Sequence, residues 1–154
     1  MEQTKTELAK MHSINHPLLG EKINYDNLNA KQQEAYNLQR ASAIFAEHGY
    51  LVIKLSDDWN GADFIALKFG TEHYLKIQLK GRFGFYKKYL GKNINICFYD
   101  RQSNNLYLYP HDEFCEIIMK KHENSVSWKN NGEYHFPKIS DDVREQLKDF
   151  ILHS

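Results

Sequence analysis

Three polar residues near the middle of the chain have the types and spacing of a metal-dependent hydrolytic site. Asp63 lies in the segment GADFIAL, and Gln78 and Lys80 lie two residues apart in LKIQLKGR. A hard divalent cation such as Mg²⁺ prefers oxygen ligands, typically one or two carboxylates together with waters and substrate phosphate. Asp63 offers a carboxylate and Gln78 an amide oxygen. Lys80 offers a cation that orients or helps deprotonate a water, or offsets charge developing on a phosphate.

A predicted β-hairpin brings these residues together. Strands are predicted over residues 62–69 and 72–80, with a tight turn at Gly70-Thr71 between them. A hairpin that turns there pairs positions whose numbers sum to about 141, which places Asp63 opposite Gln78. In the second strand the polar residues alternate with Leu and Ile, so Gln78 and Lys80 share one face.

Two further oxygen ligands are predicted beside this pair. Residues 30–48 are predicted to form a helix, with Asn29 as its N-cap, and Glu34 lies in its first turns. Glu34 is expected to hold a water, and the backbone carbonyl of Leu79 to supply another oxygen. The predicted ligands of Mg²⁺ or Mn²⁺ are Asp63, Gln78, the Leu79 carbonyl and, through a water, Glu34.

The order of these residues resembles the PD-(D/E)xK nuclease superfamily, which includes restriction endonucleases, Holliday-junction resolvases and some homing endonucleases. An acid on a leading helix, the spacing GAD-x14-QxK across a hairpin and a basic segment carry the resemblance, over roughly residues 29–99. It implies that the catalytic residues are Glu34, Asp63, Gln78 and Lys80, with Asp63 binding the metal and Lys80 as the catalytic lysine.

The resemblance also carries expectations about fold and activity. It implies an α/β (α+β) fold in which a mixed sheet of about five strands is flanked by helices. It implies a Mg²⁺-dependent endonuclease that hydrolyses phosphodiester bonds in DNA, with a homodimer as the usual way for one small domain to cut a duplex. Ala62 stands where the family has Pro. Gln78 stands where most members have an acid, which removes one negative charge from the site.

A basic segment rich in aromatic rings adjoins the motif. Residues 73–99 contain six basic residues and no acidic one, although the whole chain balances 20 Lys+Arg against 20 Asp+Glu. Such cations contact phosphates, and interleaved rings stack on bases. Double-stranded DNA is the expected partner. The predicted nucleic-acid contacts are Lys76, Arg82, Lys87, Lys88, Lys92 and the ring of Tyr86.

Length and composition predict a single folded domain preceded by an arm. The 154 residues are 42% hydrophobic and 14% aromatic, which excludes a disordered chain or a coiled coil. Residues 1–28 lack sustained periodicity and are predicted to form an N-terminal arm, and residues 29–154 to form one nuclease-like domain. No apolar run approaches the roughly 20 residues that a bilayer requires, and the charged start is unlike a signal peptide, so a cytoplasmic location is expected.

The remaining elements are predicted from local patterns. Three further strands are expected over residues 50–55, 93–99 and 106–109. Helices are expected over residues 112–121 and after Ser140, and a small hairpin is expected to pair residues 126–128 with residues 134–136 about Asn130-Asn131-Gly132.

Three alternatives stay open. Asp57 and Asp58 are rival metal ligands, although they lie in a predicted turn over residues 56–61, where aspartate serves turn chemistry. The amide of Gln78 also suits a catalytically inactive nuclease-like DNA-binding module. The acidic residues 100–154 also suit a protein-interaction or regulatory factor.

Overall fold

The computed structural model describes residues 15–153. The chain divides into two units, residues 1–33 and residues 34–154. Within the described part of the first unit, an antiparallel bridge joins His16 to Gly20, and Tyr25–Asn27 form one turn of 3₁₀-helix. No helix within residues 15–153 has the length and apolar character needed to cross a membrane.

Helix α1 spans Ala30–Glu47 and begins at a capping box. The Asn29 side chain accepts a hydrogen bond from the N–H of Gln32 at 2.9 Å, and the Gln32 side chain accepts one from the N–H of Asn29 at 3.0 Å. This reciprocal pair satisfies backbone N–H groups that a helix start leaves without partners. Gly49, with φ of 77°, follows the helix end. The helix predicted over residues 30–48 is confirmed to within one residue.

A five-stranded mixed sheet forms the centre of the second unit. In spatial order its strands are β1 (Tyr50–Trp59), β2 (Ala62–Lys68), β3 (Tyr74–Lys80), β5 (Ile94–Asp100) and β6 (Asn105–Pro110). Strands β3 and β5 run parallel, and the other neighbouring strands run antiparallel. Helices flank this sheet, so the expected α+β fold class is confirmed.

Strands β2 and β3 pair in the register that the hairpin turn predicts. Phe64 lies opposite Ile77, and Leu67 lies opposite Tyr74. Phe64 and Ile77 are fully buried. Because side chains alternate along a strand, the residues next to this pair, Asp63 and Gln78, project from the opposite face of the sheet.

Apolar layers cover both faces of the sheet. On one face, the ring of Phe45 from α1 contacts Phe64 with centroids 6.0 Å apart. The other face carries a larger cluster to which helices α2 (His111–Met119) and α4 (Asp141–Leu147) contribute. Its most buried large side chains are Phe83, Phe85, Ile94, Ile96, Tyr109 and Leu147.

The hairpin predicted over residues 126–136 is wrong. Residues Val126–Asn131 form helix α3, because the Ser125 side chain accepts a hydrogen bond from the N–H of Trp128 and Gly132, with φ of 70°, ends the helix. The following strand β7 (Glu133–His135) pairs instead with β4 (Gly84–Tyr86), a strand that the sequence pattern did not indicate.

Candidate metal and nucleic-acid site

The carboxylate of Asp63 lies at the start of β2 and is held by β3. Its Oδ2 accepts hydrogen bonds from the backbone N–H of Leu79 at 2.9 Å and from the side-chain amide of Gln78 at 2.8 Å. Within residues 15–153, the hydrogen bonds described for this carboxylate all involve Oδ2. Oδ1 therefore keeps its lone pairs for a ligand.

The surroundings of Asp63 raise its pKa above the ordinary value of 3.8. Burial is the largest cause, because it disfavours the charged form, and the negative charge of Glu34 acts in the same direction. The N–H of Leu79, the ammonium of Lys80 and the amide of Gln78 oppose these effects. The carboxylate is thus held in a position where its charge is incompletely compensated, and a bound cation would compensate it.

Gln78 is 9% exposed and turns its amide nitrogen towards the aspartate. An ionised carboxylate only accepts hydrogen bonds, so the amide must present its NH₂ group to Asp63. A glutamate at this position would instead place a second negative charge against Asp63. For Gln78 to offer its oxygen to a cation, the amide must rotate away from this hydrogen bond.

Lys80 lies two residues beyond Gln78 on the same face of β3. Its Nζ lies 4.4 Å from the ring centroid of Tyr86 and 5.2 Å from that of Tyr89. The pKa of Lys80 is lowered from 10.5, chiefly by burial and next by the nearby charge of Lys88, while the charge of Asp63 opposes the shift. These rings position the ammonium, and the lowered pKa makes proton exchange with a water easier.

Glu34 lies on the exposed surface of α1. It is close enough to Asp63 for its charge to raise the pKa of that carboxyl group. Among the described residues, no hydrogen bond joins Glu34 to Asp63, Gln78 or Lys80. The structure thus brings Asp63, Gln78 and Lys80 into one cluster and leaves Glu34 beside it.

The donor atoms of this cluster fit a hard cation with few protein ligands. Within residues 15–153, no group of three His, Cys, Asp or Glu residues is arranged to hold a metal ion. The oxygen ligands that the cluster offers are the carboxylate of Asp63, the amide oxygen of Gln78 once the amide has rotated, and the carbonyl of Leu79, which accepts a long hydrogen bond from the Gln78 amide at 3.5 Å. One carboxylate with neutral oxygens and waters suits Mg²⁺ or Mn²⁺ better than it suits zinc, which prefers Cys and His.

The rival acids Asp57 and Asp58 lie in β1, because this strand extends through Trp59 rather than ending before the predicted turn. Asp58 accepts a hydrogen bond from the N–H of Gly61 at 2.5 Å, which is the turn role expected of it. Its charge also acts on the pKa of Lys80, in the direction that raises it. Asp58 therefore lies near the cluster, but its Oδ1 is engaged in the turn.

The predicted nucleic-acid contacts differ in exposure. Lys76 is partly buried: its ammonium contacts the carbonyl of Lys92 and lies 5.7 Å from the ring centroid of Trp59. The other cations present their side chains to solvent, as phosphate contacts require. The exposed cations are Arg82, Lys87, Lys88 and Lys92.

Tyr86 departs from its predicted role. It is 5% exposed, and its ring packs against Tyr89 at 5.2 Å and His135 at 5.4 Å between centroids. Burial raises the pKa of its hydroxyl to about 12. The ring has no free face for a base, contrary to the expectation from sequence, and it lies against Lys80 instead.

His111 supports the position of Tyr86, whose ring lies beside Lys80, and the sequence did not reveal that role. It is fully buried; its Nε2 accepts a hydrogen bond from the N–H of Tyr86 at 3.1 Å, and its Nδ1 contacts Asp112 at 2.8 Å. Burial lowers the pKa of His111, although Asp112 opposes the shift. The His-Asp pair after Pro110 was the available signal, but its partner in β4 lies 25 residues away.

Comparisons with known proteins include a distant structural similarity. No protein-family model matches the chain, and no curated protein matches its sequence. A solved structure, that of the bacterial homing endonuclease I-Ssp6803I, aligns with a TM-score of 0.46 and 17% sequence identity. The alignment covers 79% of this chain and 86% of that chain. At this level, the similarity carries no conclusion about family or activity.

Proposed function

We propose that the protein is a Mg²⁺-dependent endonuclease of the PD-(D/E)xK type that hydrolyses phosphodiester bonds in DNA. One observation carries the proposal: Asp63 is hydrogen-bonded to Gln78 and to the N–H of Leu79, and Lys80 lies on the same face of the sheet. A carboxylate, an amide and an amine on adjacent strands match the order GAD-x14-QxK that suggests this superfamily.

Each residue of the cluster has a proposed role. Asp63, the Gln78 amide oxygen and the Leu79 carbonyl would hold Mg²⁺ or Mn²⁺, with Glu34 acting through a water. When bound, the cation supplies charge stabilisation at the phosphate and lowers the pKa of a water. Lys80, positioned by two tyrosine rings, orients the attacking water and exchanges a proton with it.

The exposed cations provide the proposed nucleic-acid contacts. They follow Lys80 in the chain, so a strand held by them would pass close to the cluster. Phosphate contacts of this kind confer affinity without sequence preference. Pairing of two copies would allow both strands of a duplex to be cut. The proposed phosphate contacts are Arg82, Lys87, Lys88 and Lys92.

Plasmid cleavage tests the proposal. Supercoiled DNA with Mg²⁺ or Mn²⁺ is expected to be nicked by the wild-type protein, whereas Asp63→Asn and Lys80→Met are expected to lose about 10²-fold or more in rate, as removal of a charge-stabilising group does. Lys68→Met is a matched control, since Lys68 also lies over a tyrosine ring, that of Tyr50, at 4.9 Å. If Asp63→Asn and Lys80→Met nick DNA as fast as the control, the proposed function is wrong.

A catalytically inactive DNA-binding module is the second candidate, and the hydrogen bond from Gln78 to Asp63 favours it. That bond partly satisfies the carboxylate without a metal. A binding module would show salt-dependent DNA affinity, no heat on Mg²⁺ addition and no cleavage. The variant Gln78→Glu separates the two: gain of cleavage in an otherwise inactive protein would support the module, whereas cleavage by the wild-type protein excludes it.

A further inference from the structure

A cavity lies beyond the carboxyl ends of β3 and β5. The cavity measures about 440 Å³, within the range of small-molecule sites. Gly81 and Arg82, which directly follow Lys80, line one side, and Asp100 and Arg101 line another. Because β3 and β5 are parallel, their carboxyl ends meet at one edge of the sheet, which is where open sheets commonly bind ligands.

The lining of this cavity has an excess of positive charge. Arg82, Arg101 and Lys138 contribute cationic side chains. The carboxylate of Asp100 is neutralised by Arg144, whose Nη1 lies 2.5 Å from Oδ2. A concave surface of one sign concentrates counter-ions, so the cavity suits an anionic ligand.

Aromatic side chains form the other part of the lining. Phe98 and Phe136 contribute rings, and Pro137 adds an apolar surface. The segment around Phe136 is held in place, because its N–H donates to the carbonyl of Phe83 at 2.9 Å and its ring packs against the rings of Phe83, Phe85, His122 and Tyr134. Unlike Tyr86, Phe136 stays partly exposed, which leaves part of its ring open to the cavity. Rings next to cations suit a ligand that combines a planar base with a phosphate.

We infer that this cavity binds one nucleotide, with its base against Phe136 and its phosphate against Arg82 and Lys138. The nucleotide is either an unpaired residue of a nucleic-acid strand or a free mononucleotide. Arg82 lies two residues after Lys80 in the chain. The interpretation that the bound nucleotide belongs to a substrate strand therefore rests on the proposed nuclease function. Nucleotide binding itself needs neither metal nor cleavage.

Calorimetry with deoxyadenosine 5′-monophosphate in EDTA tests the inference on the full chain. We expect one saturable site that binds this nucleotide more tightly than inorganic phosphate or deoxyadenosine. Arg82→Gln and Lys138→Gln should each weaken binding about tenfold, the loss typical of one charge-assisted hydrogen bond. Lys121→Gln, an exposed lysine outside the cavity, should leave affinity unchanged. The inference would be overturned if nucleotide binding does not saturate, if inorganic phosphate binds with the same affinity, or if the Arg82 and Lys138 variants bind the nucleotide as tightly as the wild-type protein.

Competition identifies the source of the nucleotide and keeps the two proposals separate. Displacement of the mononucleotide by a single-stranded oligonucleotide assigns the cavity to a nucleic-acid strand, and no displacement assigns it to a free nucleotide; both outcomes support nucleotide binding. Mononucleotide binding without plasmid cleavage would support nucleotide binding in the cavity and refute the proposed nuclease function. Plasmid cleavage without mononucleotide binding would refute nucleotide binding in the cavity and leave the nuclease function supported.

Discussion

At Asp63 and Lys80, burial acts against both charges of the candidate site. The pKa of Asp63 is raised and that of Lys80 is lowered, and burial is the largest cause in each case. Their mutual attraction opposes both shifts without cancelling them. Uncompensated charge of this kind is typical of functional sites, where the ligand completes the compensation.

The raised pKa of Asp63 predicts that Asp63→Asn maintains or increases stability in EDTA. A group with a raised folded-state pKa favours folding while protonated, below its unfolded pKa near 3.8, and that contribution is lost as pH rises through the folded-state pKa. The asparagine side chain can still accept from the N–H of Leu79. The stability difference between Asp63→Asn and wild type should therefore grow from pH 4 to pH 7 in urea unfolding. A variant that is less stable than wild type at pH 7 would contradict this account.

His111 predicts a second pH dependence, with the opposite sign. Its lowered pKa means that the unfolded chain binds a proton more readily, so this residue's contribution to stability is lost as pH falls through the unfolded value near 6.5. His111→Leu should lower stability at pH 7 by about 1–3 kcal/mol, because the N–H of Tyr86 loses its acceptor. It should also flatten the pH dependence between pH 7 and 5 in urea unfolding. An unchanged slope would show that other groups cause it.

Among the elements, local and long-range pairings differed in how far the sequence predicted them. The β2–β3 hairpin followed from a turn at Gly70-Thr71 and alternating side chains, and its register placed Asp63 opposite Gln78. The pairing of β4 with β7 was missed, because β4 has three residues and its partner is distant in the chain. Local hydrophobic periodicity does not indicate which distant segments of a chain pair with each other.

The same limit explains the misassigned role of Tyr86. A ring in a basic segment suits base stacking, but the sequence did not reveal that β4 would carry it into the core beside His135. It also did not reveal which way the Gln78 amide faces, since that depends on the carboxylate opposite. The sequence therefore predicted that Asp63 and Gln78 come together, whereas the burial of the site residues and the direction of their hydrogen bonds depend on tertiary contacts.

The β4–β7 pairing predicts a large effect of Gly84→Ala. A Cβ at Gly84 would lie 2.6 Å from the backbone carbonyl oxygen of Tyr134, so the strands must separate. We expect a loss of about 1–3 kcal/mol, as for other overpacking substitutions, measured by urea unfolding. Gly81→Ala is the matched control, because its Cβ meets nothing within 4 Å, and it should be neutral or stabilising. Equal effects of the two substitutions would exclude tight packing at β4.

Over the whole molecule, a net charge of zero conceals an uneven distribution. Residues 73–99 have no acid, and four of their six basic residues are exposed. Elsewhere acidic residues balance them. A nucleic acid would therefore meet a locally positive surface on a neutral protein, and its affinity should depend on the exposed cations of this segment.

This distribution predicts the salt dependence of duplex binding in EDTA. Removing one phosphate-binding cation should reduce the slope of log affinity against log salt by about 0.9. Lys87→Gln with Lys88→Gln should therefore reduce the slope by about 2, measured by fluorescence anisotropy. Lys120→Gln with Lys121→Gln, also exposed, provides the matched control and should leave the slope unchanged. If both double variants give the same slope, the duplex does not contact Lys87 and Lys88.

We propose that Asp63, Gln78 and Leu79 hold a divalent cation beside Lys80. Paramagnetic broadening of amide signals by Mn²⁺ in NMR tests it most directly, because the effect falls steeply with distance from the ion. We expect the signals of Asp63, Gln78 and Leu79 to broaden first in the wild-type protein and to remain sharp at the same Mn²⁺ concentration in Asp63→Asn. Broadening centred on other residues, or the same broadening in Asp63→Asn, would contradict it.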